Sequence, residues 1–330
     1  MKVVALLSGG LDSSLVVKLI REKGIEVVAV NFVTPFCLCD GRRGCRKRAV
    51  AITEKLNIKL KIFNIAEEYL EIVKNPRYGY GKNLNPCIDC RILMFKKAKE
   101  FMNEIGASFI ITGEVLGQRP MSQNRKALKI IERESGLEGL IVRPLSAKLL
   151  PSSIPEKEGW IKRESLFDIV GRSRKKQFDL VKRFEISGYA CPAGGCLLTD
   201  PIFSLRIRDL VSSNMLNINN INLIKNGRYF RISNSFKLVV GRNQEENQRL
   251  ISLAHEEDLI IEPESKGPTA VGRGKIEDKD LQIALKIVAY YCKDKNVKIN
   301  FEIFHKDKKY AVVTDNLSEQ ELLNYIYSVI

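Results

Sequence analysis

Histidine is nearly absent: there are two, His255 and His305, in 330 residues. That argues against a His-based catalytic triad and a His-rich zinc site. No run approaches the ~18–20 continuous apolar residues of a membrane-spanning helix. The apolar start, Met-Lys-Val-Val-Ala-Leu-Leu, soon turns into a glycine-rich loop, unlike a cleavable leader. A cytoplasmic protein with no membrane partner is expected. Eight cysteines are too few for a disulfide scaffold. The low hydrophobicity of a disordered chain is missing, since 45% of the residues are hydrophobic. There is no internal repeat and no low-complexity tail.

Positive charge is abundant. Lys and Arg number 54 against 39 Asp and Glu, a formal net charge of +15. Such an excess suits a solvated lysine-rich surface or a polyanionic partner. It is concentrated at 42–48, at 162–183 (eight Lys/Arg against three Asp/Glu), and at 206–249 (again eight against three). The cysteines also cluster: Cys37, Cys39 and Cys45; Cys87 and Cys90; Cys191 and Cys196; with Cys292 alone. In a reducing compartment such clusters point to metal, redox or sulfur chemistry.

At ~100–200 residues per domain, the length suggests two domains. The first ~145 residues alternate strand and helix, the pattern of a doubly wound parallel sheet in an α/β fold. Strands are predicted at 3–7, 27–32, 59–64, 109–112 and 140–142, with helices at 11–23, 46–56 and 88–105. Ligands in such sheets bind beyond the carboxyl ends of the strands. The loops after Leu7, Phe32 and Thr112 are therefore expected to converge on one crevice. A charged helix is predicted over 173–187, then a Gly- and Pro-rich loop from Cys191 to Cys196. From about 225 the pattern reads strand–strand–helix–strand, a helix at 280–293, and two strands, a small α+β module.

Ser8-Gly9-Gly10-Leu11-Asp12-Ser13-Ser14 lies directly between the first strand and the first helix. Glycines let the backbone approach a phosphate, and the helix start offers unpaired N–H groups and a positive dipole end. Ser8 and Ser13 add hydroxyl donors. Asp12 is suited to orient the loop or to hold Mg²⁺. The loop has neither the Walker pattern nor G-x-G-x-x-G.

Ser-Gly-Gly-x-Asp-Ser after the first strand resembles the PP-loop of the ATP pyrophosphatases. The resemblance implies the adenine-nucleotide hydrolase sheet, and implies that Ser8, Gly9, Gly10, Asp12 and Ser13 hold the pyrophosphate part of ATP. Further on, Cys87-Ile88-Asp89-Cys90-Arg91, then Thr112-Gly113-Glu114-Val115-Leu116-Gly117-Gln118, Ser122-Gln123 and Arg143-Pro144-Leu145 are similar to the tRNA 4-thiouridine synthetase branch. Thr112, Gly113 and Gln118 join the expected nucleotide contacts on that basis. The match covers 1–150 and is looser to 205. The RNA-binding module that precedes the PP-loop in that branch is not expected here, for want of room in the first 50 residues.

Some sulfur-inserting members of the family are similar in pairing Cys-x-x-Cys with one distant cysteine to hold a [4Fe–4S] cluster with an open iron. That implies Cys87, Cys90 and Cys196 as ligands, with Cys196 preferred to Cys191. A persulfide on one cysteine, resolved by another, is the rival. Cys37, Cys39 and Cys45 remain open to a second metal, to sulfur transfer or to no chemistry. Asp89 reads equally as a base-orienting or proton-transferring group and as a helix-start cap.

Residues 225–330 resemble the NFACT-R RNA-binding domain through Val240-Gly241-Arg242-Asn243, Gly267-Pro268 and an Ala/Tyr-rich helix. Arg242 and Asn243 are the RNA contacts to test first, and Asn243 is also a good helix N-cap. Arg46 and Lys175 represent the two basic stretches nearer the crevice.

The combined expectation has three parts: a PP-loop domain (1–150), a basic extension completing the active site (151–224) and an RNA-binding domain (225–330). Its partners are tRNA and a sulfur donor, sulfide or a cysteine desulfurase, and the reading leaves room for a homodimer. The expected activity is ATP-dependent tRNA thiolation forming 4-thiouridine. The alternatives are 2-thiouridine formation, an amidating ligase acting on a small molecule, and a non-catalytic RNA-binding protein.

Overall fold

The computed structural model describes residues 1–37, 45–186, 195–293, 299–306, 308–314 and 319–325. It divides into two compact units, Met1–Thr199 and Asp200–Ile330.

The first unit contains β1 (Lys2–Leu6), α1 (Leu11–Arg21), β2 (Glu26–Val33), α2 (Cys45–Leu56), β3 (Lys59–Asn64), α3 (Ala66–Lys74), α4 (Cys87–Glu104), β4 (Phe109–Thr112), α5 (Arg125–Ser135), β5 (Ile141–Val142), α6 (Ile154–Lys157) and α7 (Lys175–Arg183). Its five strands are all parallel, in the order β3-β2-β1-β4-β5. Period-two alternation explains the two layers of core. Val3, Ala5 and Leu7 face one way, with Leu15, Val16 and Ile20 of α1, Ala49 and Ile52 of α2, and Val181 of α7. Val4 and Leu6 face the other way, with Phe95, Ala98 and Phe101 of α4 and Ile131 of α5.

The strand order reverses between β1 and β4, with Leu6 in register with Thr112. That switch point is where such a sheet opens a crevice. On β2, the buried Asn31 donates its amide to the Leu7 carbonyl at 2.7 Å and steadies the loop leaving β1.

The second unit contains α8 (Pro201–Ser212), α9 (Ile218–Ile224), β6 (Arg228–Arg231), β7 (Phe236–Val240), α10 (Gln244–Leu253), β8 (Leu259–Pro263), β9 (Ala270–Gly274), α11 (Asp278–Tyr290), β10 (Ile299–His305), β11 (Lys308–Thr314) and α12 (Glu319–Leu323). The sheet is antiparallel, ordered β11-β10-β8-β9-β7-β6, and buries Phe236, Leu238, Ile261, Phe301 and Ile303 with Ala284, Leu285 and Val288 of α11. Two strands, rather than one, separate α10 from α11. The unread strand, β9, is Ala-Val-Gly-Arg-Gly, poor in β-formers. Its Gly272 is required by packing, because a Cβ there would lie 2.3 Å from the Phe236 ring.

Asp209 of α8 is fully buried and accepts Lys237 Nζ at 3.1 Å and the Tyr229 hydroxyl. This fastens α8 to β6 and β7.

Candidate functional site

The loop after β1 is built around Gly9, which has φ +75°, a region open to glycine. Ser8 Oγ and Ser13 Oγ are 3.1 Å apart, and Ser13 Oγ donates to the Gly10 carbonyl at 3.0 Å. Gly10 occupies the N-cap of α1, so no side chain caps that end. The first-turn N–H groups of α1 are therefore left for an anion.

Gly113, after β4, closes on this turn. A Cβ on it would lie 2.5 Å from Ser13 N and 2.6 Å from the Asp12 carbonyl carbon. From the same loop, Gln118 Nε2 donates to Asp12 Oδ2 at 3.0 Å. Burial raises the Asp12 pKa above its ordinary 3.8, while the Gln118 hydrogen bond, the Arg174 charge, the Gln177 amide and Arg119 work against that rise.

A cavity of about 270 Å³ extends from this loop. Ser8, Gly10, Asp12, Ser13, Thr112, Gly113 and Gln118 line it together with Cys87, Cys90 and Cys196. The expected nucleotide contacts and the expected sulfur groups thus share one chamber, with Gly9 in the turn beside it. Cys87 and Cys90 stand on the first turn of α4, and Cys87 Sγ donates to Ser122 Oγ at 3.0 Å. Cys196 is brought in by three hydrogen bonds, two between backbone groups and one from a side-chain amide. Leu197 N donates to the Phe36 carbonyl (2.8 Å), Leu84 N to the Leu198 carbonyl (3.1 Å), and Asn83 Nδ2 to the Thr199 carbonyl (2.7 Å).

Burial pushes the Cys90 thiol up to about 12, against the Arg91 charge, and the Cys196 thiol up to about 11. A helix N-terminus lowers a thiol pKa, but at Cys90 desolvation prevails. Tyr69 is buried against this group and packs edge-on to Phe36.

Cys37, left open between three roles in the sequence, joins the chamber, and three arginines not singled out there join it too. Cys37 lines the cavity and is bridged antiparallel to Cys196. Arg91, Arg119 and Arg174 also line it. Arg91 and Arg143 converge on the buried Glu114, with Arg143 Nε at 3.1 Å and Arg91 Nε at 3.5 Å. Lys175 is exposed, and its neighbour Arg174 reaches the chamber instead.

Asp89 does not line the chamber. Its two carboxylate oxygens accept the Arg77 and Tyr78 backbone N–H groups at 3.1 and 3.0 Å, which holds the segment before α4. Arg46 is exposed on α2. Cys39 and Cys191 lie outside the described residues, as does the side chain of Cys45. Among the described residues, no three His, Cys, Asp or Glu side chains stand together as a site for a metal ion.

In the second unit, Asn243 caps α10 by accepting Glu246 N–H at 3.0 Å. Arg242 Nε lies 2.9 and 3.0 Å from the Glu246 carboxylate oxygens, so an acidic partner orients the guanidinium. Arg228 stacks over Tyr291, 4.3 Å from the ring centroid.

Residues 1–148 match the family model described as thiamine biosynthesis protein (ThiI), and residues 227–326 match the NFACT protein RNA binding domain. The chain thus joins a segment similar to ThiI to one similar to the NFACT RNA-binding domain. The first of these carries the glycine-rich loop and the Cys-x-x-Cys turn. The segment with Arg174 and Cys196 lies beyond it, and α8 and α9 precede the NFACT-type domain.

The probable tRNA sulfurtransferase of Thermococcus kodakarensis is 31% identical over 153 residues, which cover 44% of this chain and 36% of that protein. A tRNA-specific 2-thiouridylase of Caldanaerobacter subterraneus is 32% identical over 138 residues, 38% of each chain. The chain thus spans little more than a third of these curated relatives. Among solved structures, a 4-thiouridine synthetase–RNA complex with bound ATP is 22% identical with a TM-score of 0.38, covering 67% of this chain and 52% of that one. A U34-tRNA thiolase from Methanococcus maripaludis with its [4Fe–4S] cluster is 18% identical with a TM-score of 0.34, covering 66% and 68%. At these scores, the ligands of those structures remain properties of those proteins.

Proposed function

We propose that this chain is an ATP-dependent tRNA sulfurtransferase. The observation that carries this reading is a single chamber in which an uncapped glycine-rich helix start faces Cys37, Cys87, Cys90 and Cys196. A ligase acting on a small molecule has no use for four thiols beside its nucleotide.

The PP-loop N–H groups and hydroxyls bind the pyrophosphate part of ATP, with Gly113 keeping the loop free of a side chain. The uridine carbonyl oxygen attacks the α-phosphorus, and pyrophosphate leaves. A sulfur nucleophile then adds to the activated carbon, and AMP departs with the original oxygen. Preorganised donors around the developing charge supply the acceleration. Asp12 Oδ1, buried without a hydrogen-bond partner, is the oxygen suited to Mg²⁺. The target base must leave its stack to enter the chamber. The NFACT-type domain, with Arg242 and Asn243, is the proposed site of tRNA docking.

The thiols suit an iron–sulfur cluster in donor type. Cys87, Cys90 and Cys196 would hold it, and an iron left open would supply a position for the attacking sulfur. The proposed product is 4-thiouridine. A second reading, 2-thiouridine, is favoured by the 2-thiouridylase relatives.

Protein purified anaerobically is expected to carry iron and acid-labile sulfide, and Cys196→Ala to lose them. Thiolation by iron-free wild type would reject the cluster in favour of a persulfide. Pyrophosphate release that requires tRNA separates the sulfurtransferase from a small-molecule ligase and from a non-catalytic RNA-binding protein.

A further inference from the structure

Buried polar atoms without partners collect beside Asp12. They are Asp12 Oδ1 and Arg174 Nε, and the fully buried Gln177 amide is set against the same Asp12 carboxyl, which it helps to keep ionised. Buried polar groups are nearly always satisfied, so such a collection calls for an absent partner. These side chains come from two elements packed together in one core: Asp12 from α1, Arg174 and Gln177 from the start of α7. Arg174 lines the chamber, and its charge acts on the Asp12 carboxyl. The start of α7 has no side-chain cap. An anion carrying several oxygens would accept from the Arg174 guanidinium, whereas Asp12 Oδ1, an acceptor, calls for a cation or a donor.

We propose that Arg174 binds the pyrophosphate part of ATP and that Gln177 is a positioning residue, aligning Asp12 once the nucleotide is bound. The inference rests on the reading of the chamber as an ATP site and extends it to a segment that neither family model covers. The PP-loop and Arg174, the residue that opens α7, then both border the phosphate site.

The test is equilibrium titration of the full chain with ATP, inorganic pyrophosphate and AMP, with thermal unfolding of each variant. Loss of one charge-assisted contact predicts that Arg174→Met weakens ATP and pyrophosphate about ten- to a hundredfold, with AMP changed less than twofold. Arg174→Lys should retain part of the affinity. It carries the test if Arg174→Met fails to fold: weakened ATP with unchanged AMP supports the assignment, and unchanged ATP overturns it. Gln177→Met removes the buried amide, so it should raise the melting temperature while lowering ATP affinity. A raised melting temperature with unchanged ATP affinity would make Gln177 a core residue only. Wild type that binds neither ATP nor pyrophosphate would sink the ATP-site reading as well. Wild-type affinity in Arg174→Met would overturn this inference alone.

Discussion

At the scale of single residues, the nucleotide loop trades stability for an open site. Gly113 lies so close to Ser13 N that any side chain must displace the loop. Gly113→Ala is expected to cost about 1–3 kcal/mol through overpacking and to abolish ATP binding, both measurable by calorimetry. Asp12 acts in the same sense. Its carboxyl is raised by burial, so the neutral form is favoured in the folded chain and ionisation is a cost. Stability from such a group is complete below the unfolded value near 3.8 and is lost as pH rises through the folded one. Asp12→Asn should therefore be more stable than wild type at neutral pH. The difference should vanish toward pH 3–4 in denaturant titrations, and ATP turnover should be lost. Ser8 to Ser13 and Cys87-x-x-Cys90 are legible in the sequence because each is local, the first running from β1 into α1 and the second on the first turn of α4. Cys37 is placed near the crevice by the loop after Phe32, but its bridge to Cys196 is not legible. Arg174 and Gln177 are not legible either, because only the packing of α7 brings them to the site. Asp89 could be read from sequence as a helix-start residue, but its partners, the Arg77 and Tyr78 amides, lie about a dozen residues upstream.

At the scale of elements, α8 is joined to its sheet by a buried charge. Arg231 Nε also lies 3.4 Å from Asp209 and keeps part of the compensation, so Lys237→Met should destabilise the second unit by about 1–3 kcal/mol. Replacing Asp209 and Lys237 together by apolar residues should recover most of that loss. ATP affinity in the full chain should be unchanged by either, which two-transition calorimetry with ATP titration would check. The parallel sheet was readable because β1, β2 and β4 are short apolar runs between helical patterns. Other elements were less visible. Arg125–Ser135 lies between a capping Asn124 and Gly136 at φ +65°, a start and stop that mark a helix, yet its interior is mostly charged. The helix expected over 173–187 spans Lys175–Arg183, and Glu185 turns left-handed at φ +51° just beyond its end.

At the scale of the whole molecule, the net charge of +15 is the proposed signature of a polyanionic substrate. Each phosphate neutralised by a Lys or Arg contributes about 0.9 to the slope of log affinity against log salt for duplex DNA, and about 0.7 for single strands. Arg242→Ala should lower the tRNA slope by about one contact and weaken all tRNAs alike. A specificity change without a slope change would assign Arg242 to base recognition. The most direct measurement combines full-length protein, unmodified tRNA, ATP and sulfide under anaerobic conditions. Nucleosides are analysed by mass spectrometry, with AMP and pyrophosphate counted in the same reaction. 4-Thiouridine should accumulate with one AMP and one pyrophosphate per sulfur inserted, and neither should be released without tRNA. Pyrophosphate release without tRNA, or tRNA that gains no sulfur while ATP is consumed, would contradict a chamber built to activate an RNA carbonyl.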